Sequence, residues 1–423
     1  MANVLLLGSG GREHALALKI SQSSSLSRLF IAPGNPGTAM VGENVVLDIM
    51  NFKEISEFCV QNSIDYLCVG PEAPLVEGIT DYFKKHCSKT FVIGPSKMGA
   101  ALEGSKSFCK SFLERHGIPT ARYRSFTHHQ VSEAKAYLKE LKPPFVIKAD
   151  GLAAGKGVVI ATGIAEAEKE IEAMLTAQKF GKASETVVIE EFLKGVEVSV
   201  FIVTDGKHYK ILPEAKDYKR IGDKDTGPNT GGMGAVSPVP FADREFMMKV
   251  EERIIQPTVK GIHLDGLDYK GFLFLGLMSV KGDPYVIEYN VRLGDPETEV
   301  VMLRMRSDLV ELFEGLATGT LSERHVEIED NAAAAVVMVS EGYPGDYSKG
   351  HPIHIGIKDQ AVFHAGTTLA DGTLVTSGGR VLVCAAMGKT LGISIRNAYE
   401  KVRSVSYKGL YYRTDIGKDL MEM

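Results

Sequence analysis

The sequence predicts an α/β protein in three parts: an N-terminal parallel-sheet unit, a mixed central unit and a β-rich C-terminal unit. Three observations carry this. Over roughly the first hundred residues, short apolar runs ending in Gly or Gly-Pro alternate with helix-like segments, as buried parallel strands do. Further on, strand-like runs are joined in pairs by Asp-Gly and Lys-Gly-Asp turns. A length of 423 residues exceeds one ordinary core and asks for roughly two to four packed units.

In the first unit "NVLLLG", "IDYLCVG" and "TFVIGP" read as parallel strands. Ligands of such units gather beyond the carboxyl ends of the strands, here "GSGGREH", "GPEAPL" and "GPSKMGA". Gly8-x-Gly10 opens like a dinucleotide fingerprint, but Glu13 stands at the third glycine position. A glycine turn before a helix still offers backbone amides to a phosphate. A tight turn without a ligand fits the same residues, and Arg12 and His14 incline the reading towards an anion pocket.

From about Leu102 the texture changes. "SKSFCKSFLERHG" reads as a helix ending at Gly117, with Pro119 as a stop signal. An amphipathic helix "VSEAKAYLKEL", a strand "PFVIKAD", a helix "IAEAEKEIEAMLTAQ" and a strand "TVVIEEFL" follow. "VEVSVFIV" pairs with "HYKILP" around Asp205-Gly206, and "GFLFLGLMSV" with "PYVIEYN" around Lys281-Gly282-Asp283. Between these hairpins "GDKDTGPNTGGMGAVSP" is glycine-rich, lacks periodicity and reads as a loop. A last unit starts near Asn331 with the strands "AAAAVVMVS", "AVFHAGT", "TLVTSG" and "GRVLVCAAMG", an Asp371-Gly372 hairpin and a closing helix through "ISIRNAYEKVRSV".

Composition excludes several classes. An apolar share of 44%, a charged share of 24% and a net charge of −5 describe a globular protein without the basic surface of a nucleic-acid binder. The five cysteines are scattered and form no Cys-x-x-Cys pair, so buried free thiols are expected. No apolar run is long enough to span a bilayer, and a cytoplasmic location is expected. Gly-x-Ser-x-Gly, His-Glu-x-x-His and kinase-type glycine loops are absent.

"VIKADGLAAGKGVVI" invites comparison with a P-loop and fails it. Three residues, not four, separate Gly151 from Gly155-Lys156, and Gly157 stands where the hydroxyl belongs. Lys148 closes an apolar strand, where a cation is costly unless it meets an anion; a salt bridge is the other way to satisfy it. Lys106 is a second candidate cation, or a solvated helix residue. Glu190 and Glu191 face opposite sides of their strand, and the backbone of a strand end suits an adenine edge. Glu197 and Ser199 share a face, either in a cleft or on a solvated edge. Glu288, Asn290 and Arg292 fall at i, i+2 and i+4. Two oxygen donors followed by a guanidinium suit Mg²⁺ and phosphate, since that ion takes carboxylate and amide oxygens and keeps several waters.

Taken together, "LLLGSGGREHALA", "GPEAPL", "IKADGLAAGKGV", "EEFLKGVEVS", "GDKDTGPNTGGMGAVSP", "EYNVRLGDPET" and "SGGRVL" resemble the ATP-grasp ligases, and more closely the phosphoribosylamine–glycine ligase family of purine biosynthesis. The resemblance covers essentially the whole chain. It implies an N-terminal phosphoribosylamine-binding domain over 1–102, an ATP-grasp domain over 103–325 with a lid subdomain at about 121–192, and a C-terminal β-rich domain over 326–423. It also implies that ATP, glycine and 5-phosphoribosylamine give glycinamide ribonucleotide, ADP and phosphate through a glycyl phosphate. Another ATP-grasp carboxylate–amine ligase is the alternative. Carried over, Lys106 and Lys148 would contact ATP phosphates, with Gly151, Gly155, Lys156 and Gly157 in the lid. Glu190, Glu191, Phe192 and Leu193 would form the adenine hinge, and Glu197 would reach the ribose. Glu288 and Asn290 would hold Mg²⁺ or Mn²⁺. Asp217 and Arg292 would orient glycine or the acyl phosphate, and Gly10, Gly11 and Glu72 would border the phosphoribosylamine pocket. The resemblance implies no nucleic-acid or membrane partner, and a monomer is expected. Lys216 and Tyr218 stand where relatives commonly carry Gln and His, and Leu293 and Glu299 where Phe and Gln are frequent.

Overall fold

The computed structural model describes residues 1–153 and 157–421. Its first layer is a five-stranded sheet of β1 (Ala2–Gly8), β2 (Leu26–Pro33), β3 (Glu43–Asn44), β4 (Tyr66–Val69) and β5 (Phe91–Ile93). All neighbours are parallel, in the order β3-β2-β1-β4-β5. Leu5 and Leu7 pack into one core and Val4 and Leu6 into another, so β1 is buried on both faces and its sequence is an unbroken apolar run. Strand β2 escapes the sequence reading for the opposite reason: its first half is partly or fully exposed and only Leu29–Ala32 is buried.

The next sheet belongs to a small unit with its own core. Strands β6 (Tyr123–Thr127), β7 (Phe145–Ala149), β8 (Val158–Ala161) and β9 (Thr186–Glu191) run antiparallel in the order β6-β9-β7-β8. Helices Val131–Leu138 and Ile164–Leu175 supply Tyr137, Leu138 and Ile171 to a cluster shared with Phe145, Ile147 and Ile189. Strands β7 and β8 pair Lys148 with Val158, so the glycine loop joins two strands of one sheet and opens no helix.

A second antiparallel sheet, β11-β10-β16-β17, contains β10 (Val196–Thr204), β11 (Tyr209–Ile211), β16 (Gly271–Val280) and β17 (Asp283–Asn290). Both expected hairpins form. Lys281 and Gly282 adopt φ of 52° and 83°, the left-handed pair that a two-residue hairpin turn requires.

The segment read as a loop is instead largely strand. After β12 (Lys216–Asp217), β13 (Arg220–Gly222) and β14 (Thr226–Asn229) form a ribbon, and β15 (Gly234–Ser237) is fully buried. Strand β15 pairs with β18 (Ala332–Ser340), Gly234 opposite Val336. Four residues led by glycine show no period, and a partner so far along the chain is invisible to local pattern. The C-terminal sheet, ordered β12, β15, β18, Arg380–Gly388 and Val362–His364, therefore borrows two strands from the central segment. Helix Leu391–Arg403 packs on it, and Asp371 and Gly372 make the expected turn with φ of 48° and 77°. All five cysteines are buried free thiols. Among the described residues no helix is long and apolar enough to cross a membrane.

Candidate active site

Strand β17 delivers its polar residues to the junction of the two antiparallel sheets. A bulge falls between Val286 and Glu288, where the register with β16 shifts. The carbonyl of Ile287 accepts a hydrogen bond from Lys148 Nζ at 3.3 Å, tying the small unit to β17. Beyond the bulge Glu288 and Asn290 share a face. Burial alone would raise the Glu288 carboxyl, but Lys219, Lys148, Lys106 and Arg292 outweigh it and hold the group below its usual range. Asn290 is buried and its amide nitrogen has no partner. Half a turn of that amide exchanges nitrogen for oxygen. The pair thus offers two hard oxygen donors, a set that fits Mg²⁺ carrying water and phosphate oxygens. Among the described residues no group of three or more His, Cys, Asp or Glu is arranged to hold a metal.

Lys148 meets the salt-bridge alternative left open by the sequence. It lies 2.8 Å from Glu190 Oε1, and Lys110 lies 2.9 Å from Glu190 Oε2, with all three side chains at most 5% exposed. Burial opposes the Glu190 charge, yet Lys148 and Lys110 together hold its carboxyl below the usual value. The trio carries a net positive charge, so Glu190 leaves Lys148 attractive to an anion. Lys106, at the start of helix Lys106–Arg115, donates to the Gly151 carbonyl at 3.2 Å. Its ammonium is pushed down first by burial, against the pull of Glu288. Gly151 packs on Ala183, 3.0 Å from where a Cβ would stand, and Gly157 closes the β7–β8 turn by accepting from Ala149 N at 2.8 Å. Gly155 and Lys156 lie outside the described residues. Past β9, Glu191 accepts from Arg122 N at 2.9 Å, while Phe192 is exposed and Leu193 half-buried on the link to β10.

A third group sits on β10 and β12. Glu197 receives Lys219 Nζ at 2.5 Å, and Ser199 donates to Glu297 at 3.3 Å, so the expected shared face looks into the site. Burial raises the Asp217 carboxyl and Glu197 raises it further, against Lys219. Glu297 is pushed up to about 7 by burial and by Asp217. Lys219, Lys110 and Glu297 escaped the sequence reading, although Lys219 stands at i+2 from Asp217 and Lys110 at i+4 from Lys106, both on shared faces.

Arg292 links this site to the N-terminal sheet. It is 2.8 Å from Glu103 Oε1 and 3.5 Å from Glu72 Oε2, and Glu103 also accepts from Val291 N at 2.7 Å. Beyond the strand ends of β1 and β2 lies a cavity of about 340 Å³ lined by Gly8, Ser9, Gly10, Glu13, Pro33, Leu47, Asp48, Ile49 and Pro71. Gly10 lines it, and Glu72 directly follows Pro71. Gly11 does not line it: it packs against Glu299, whose Oε1 is 2.4 Å from where a Cβ would be. Arg12 and His14 do not face the cavity either. Arg12 is buried, 2.6 Å from Glu13 and 3.1 Å from the Leu293 carbonyl. His14 is buried and accepts from His364 N at 2.9 Å, and burial, then His364, lower its pKa to about 3.

Glu299 yields a prediction here. It is fully buried, neither oxygen has a hydrogen-bond partner, and burial followed by Asp295 raises its carboxyl well above the usual range. Above the unfolded carboxyl value the unfolded chain sheds this proton while the folded chain keeps it, so folding loses about 1.4 kcal/mol per pH unit across the interval. Glu299→Gln should therefore be more stable than the parent, with a margin that widens in thermal melts as pH rises above the ordinary carboxyl range. A margin that stays flat with pH contradicts a neutral Glu299.

Three domain descriptions match in order: "Phosphoribosylglycinamide synthetase, N domain" over 2–103, its "ATP-grasp (A) domain" over 104–298 and its "C domain" over 333–419. The chain belongs to the phosphoribosylglycinamide synthetase family. Family relatives named phosphoribosylamine–glycine ligase include one from Escherichia coli strain K12, 48% identical over 98% of this chain and 97% of that protein. Another, from Pseudomonas aeruginosa, is 47% identical with the same coverage. The crystal structure of phosphoribosylamine–glycine ligase from Thermotoga maritima superposes with a TM-score of 0.82 at 37% identity, covering 98% of this chain and 99% of that one. A biotin carboxylase complex from Campylobacter jejuni shares the fold alone, with a TM-score of 0.72 at 16% identity. Within the family frame, the β17 cluster and the glycine loop fall in the ATP-grasp match and the 340 Å³ cavity in the N-domain match.

Proposed function

We propose that the protein joins glycine to 5-phosphoribosylamine at the expense of ATP, giving glycinamide ribonucleotide, ADP and phosphate. The observation that carries this is that Lys106, Lys148, Lys219 and Arg292 all act on Glu288 beside Asn290, while Glu190, Glu197 and Glu103 hold Lys148, Lys219 and Arg292 in place. Phosphoryl transfer between oxygens asks a protein for positioning and charge neutralisation more than for a nucleophile, and this network of cations and carboxylates supplies both. A glycine carboxylate oxygen attacks the γ-phosphorus and ADP leaves. The amine of phosphoribosylamine then attacks the acyl carbon, phosphate departs with the oxygen it took, and the amine proton is lost.

In this reading Lys106 and Lys148 bind the ATP phosphates and the Gly151–Gly157 loop closes over them. The strand end Glu190, Glu191, Phe192 and Leu193 holds the adenine, and Glu197 takes the ribose. Glu288 and Asn290 hold Mg²⁺ or Mn²⁺, which when bound draws off charge from the phosphate oxygens. Asp217 and Arg292 orient glycine and its acyl phosphate. Gly10 and Glu72 border the amine's pocket, and Arg292, paired with both Glu72 and Glu103, stands between the two substrates. Small molecules are the partners, acting in the cytoplasm with the protein as a monomer. ADP release measured with substrates omitted one at a time tests this. Release should require glycine and the amine together; release indifferent to glycine overturns the assignment.

A further inference from the structure

Residues 216–219 carry two sets of side chains on opposite faces. Asp217 and Lys219 look into the site, where Lys219 meets Glu197 at 2.5 Å and Asp217 acts on Glu297. Lys216 and Tyr218 look the other way and are buried. Both end on one carboxylate from the far end of the chain. The Tyr218 hydroxyl donates to Asp419 Oδ1 at 2.5 Å, and Lys216 Nζ is 3.2 Å from Asp419 Oδ2. That ammonium also sits 3.6 Å from the centre of the Tyr218 ring, and the Arg413 guanidinium 5.2 Å from it.

From the front this backbone is held by β15 and the turn before it: Tyr218 N donates to the Gly234 carbonyl at 3.0 Å, and Met233 N and Thr230 N donate to the carbonyls of Tyr218 and Lys219 at 2.7 Å each. Lys216 and Asp217 pair as strand with β15, and beyond Lys219 the chain leaves into a ribbon whose second strand, Thr226–Asn229, is fully exposed. The C-terminal segment adds a second restraint, from behind and on the ribbon. Arg413, itself buried, donates to the Arg220 carbonyl at 3.1 Å and to Asp225 at 2.7 Å. Thr414 N donates to Asp223 and Lys224 N to Asp415, at 2.8 and 2.7 Å. Gly417 turns the chain towards Tyr218 with φ of 78°, and a Cβ there would lie 2.4 Å from Ile395 Cδ1, so only glycine fits the bend.

We infer that the segment Arg413–Asp419 is a positioning element of the active site: Asp419, acting through Tyr218 and Lys216, sets the placement of Asp217 and Lys219. This rests on the reading that those two residues serve the reaction. A strand anchored from behind by two side chains presents its other face in one place, and misplacement by 1 Å costs about 10²-fold in rate.

The test compares Asp419→Ala, Tyr218→Phe, their double variant and Asp419→Asn, which keeps an oxygen for the Tyr218 hydroxyl. Turnover number should fall about tenfold in Asp419→Ala and Tyr218→Phe, part of the loss a full misplacement brings. KM for ATP should change less than turnover, because Lys106 and Lys148 sit on other elements and only Glu197, through Lys219, is reached. The double variant should be no slower than the slower single, Asp419→Asn should recover part of the rate, and the melting temperature should move little, since Asp419 is half-exposed. Unchanged turnover in both single variants, multiplying losses in the double, or losses that follow only the folded fraction overturn the inference. Asp217→Asn separates the two levels. If it is inactive while Asp419→Ala is normal, the positioning role alone fails; if it retains full turnover, the reading of the site fails and the inference with it.

Discussion

Glu288→Gln should lower turnover by at least about 10²-fold, the scale on which a single preorganised charge-stabilising group acts in a closed site, and leave the protein folded. Lys219, Lys148, Lys106 and Arg292 all act on Glu288 and hold its carboxyl below the usual range. The amide is isosteric, so packing is kept. What is lost is the negative oxygen that would hold the divalent ion in the proposed site. Activity measured across a Mg²⁺ titration should stay low even at saturation, with melting temperature near that of the parent. Turnover within about threefold of the parent would remove Glu288 from the mechanism and favour a nucleotide sensor without catalysis.

Glu190→Gln should give the largest loss of stability, about 3–5 kcal/mol, because it strands two buried ammonium groups that now share one carboxylate. Lys110 is 3% and Lys148 5% exposed, so water replaces the lost partner poorly. The change should appear as a lower urea midpoint for the unit that contains β9. Combining it with Lys110→Met should recover part of the loss, since one uncompensated cation remains instead of two. The parent protein's own acid response carries the same information. Glu190 is held below its usual value, so its contribution is complete above the ordinary carboxyl range and disappears as pH falls through the depressed value. A Glu190→Gln variant as stable as the parent at pH 7 contradicts the buried trio.

Much of this was legible in the residues. The N-terminal strands announce themselves because both faces of β1 are buried, and the hairpins because Lys281-Gly282 and Asp371-Gly372 demand positive φ. Lys148 was suspect because a lysine closing an apolar strand needs an anion. The structure supplies Glu190 on the neighbouring strand, two residues beyond the one paired with Lys148. Other features are non-local and leave no mark in a window of sequence. The pairing of β15 with β18 and the reach of Asp419 to Tyr218 join segments far apart along the chain. Arg12 and His14 misled for a related reason. Beside a glycine turn they look like anion ligands, but their partners, the Leu293 carbonyl and His364, come from other parts of the fold.

The central claim is that this site activates the carboxylate of glycine by moving the γ-phosphoryl group of ATP onto it. Turnover with glycine labelled by ¹⁸O in its carboxylate tests that step directly, through the mass of the phosphate released. The account predicts one labelled oxygen in each phosphate and one in the amide product. Unlabelled phosphate at full turnover would mean that water, and not glycine, receives the phosphoryl group, and would contradict it.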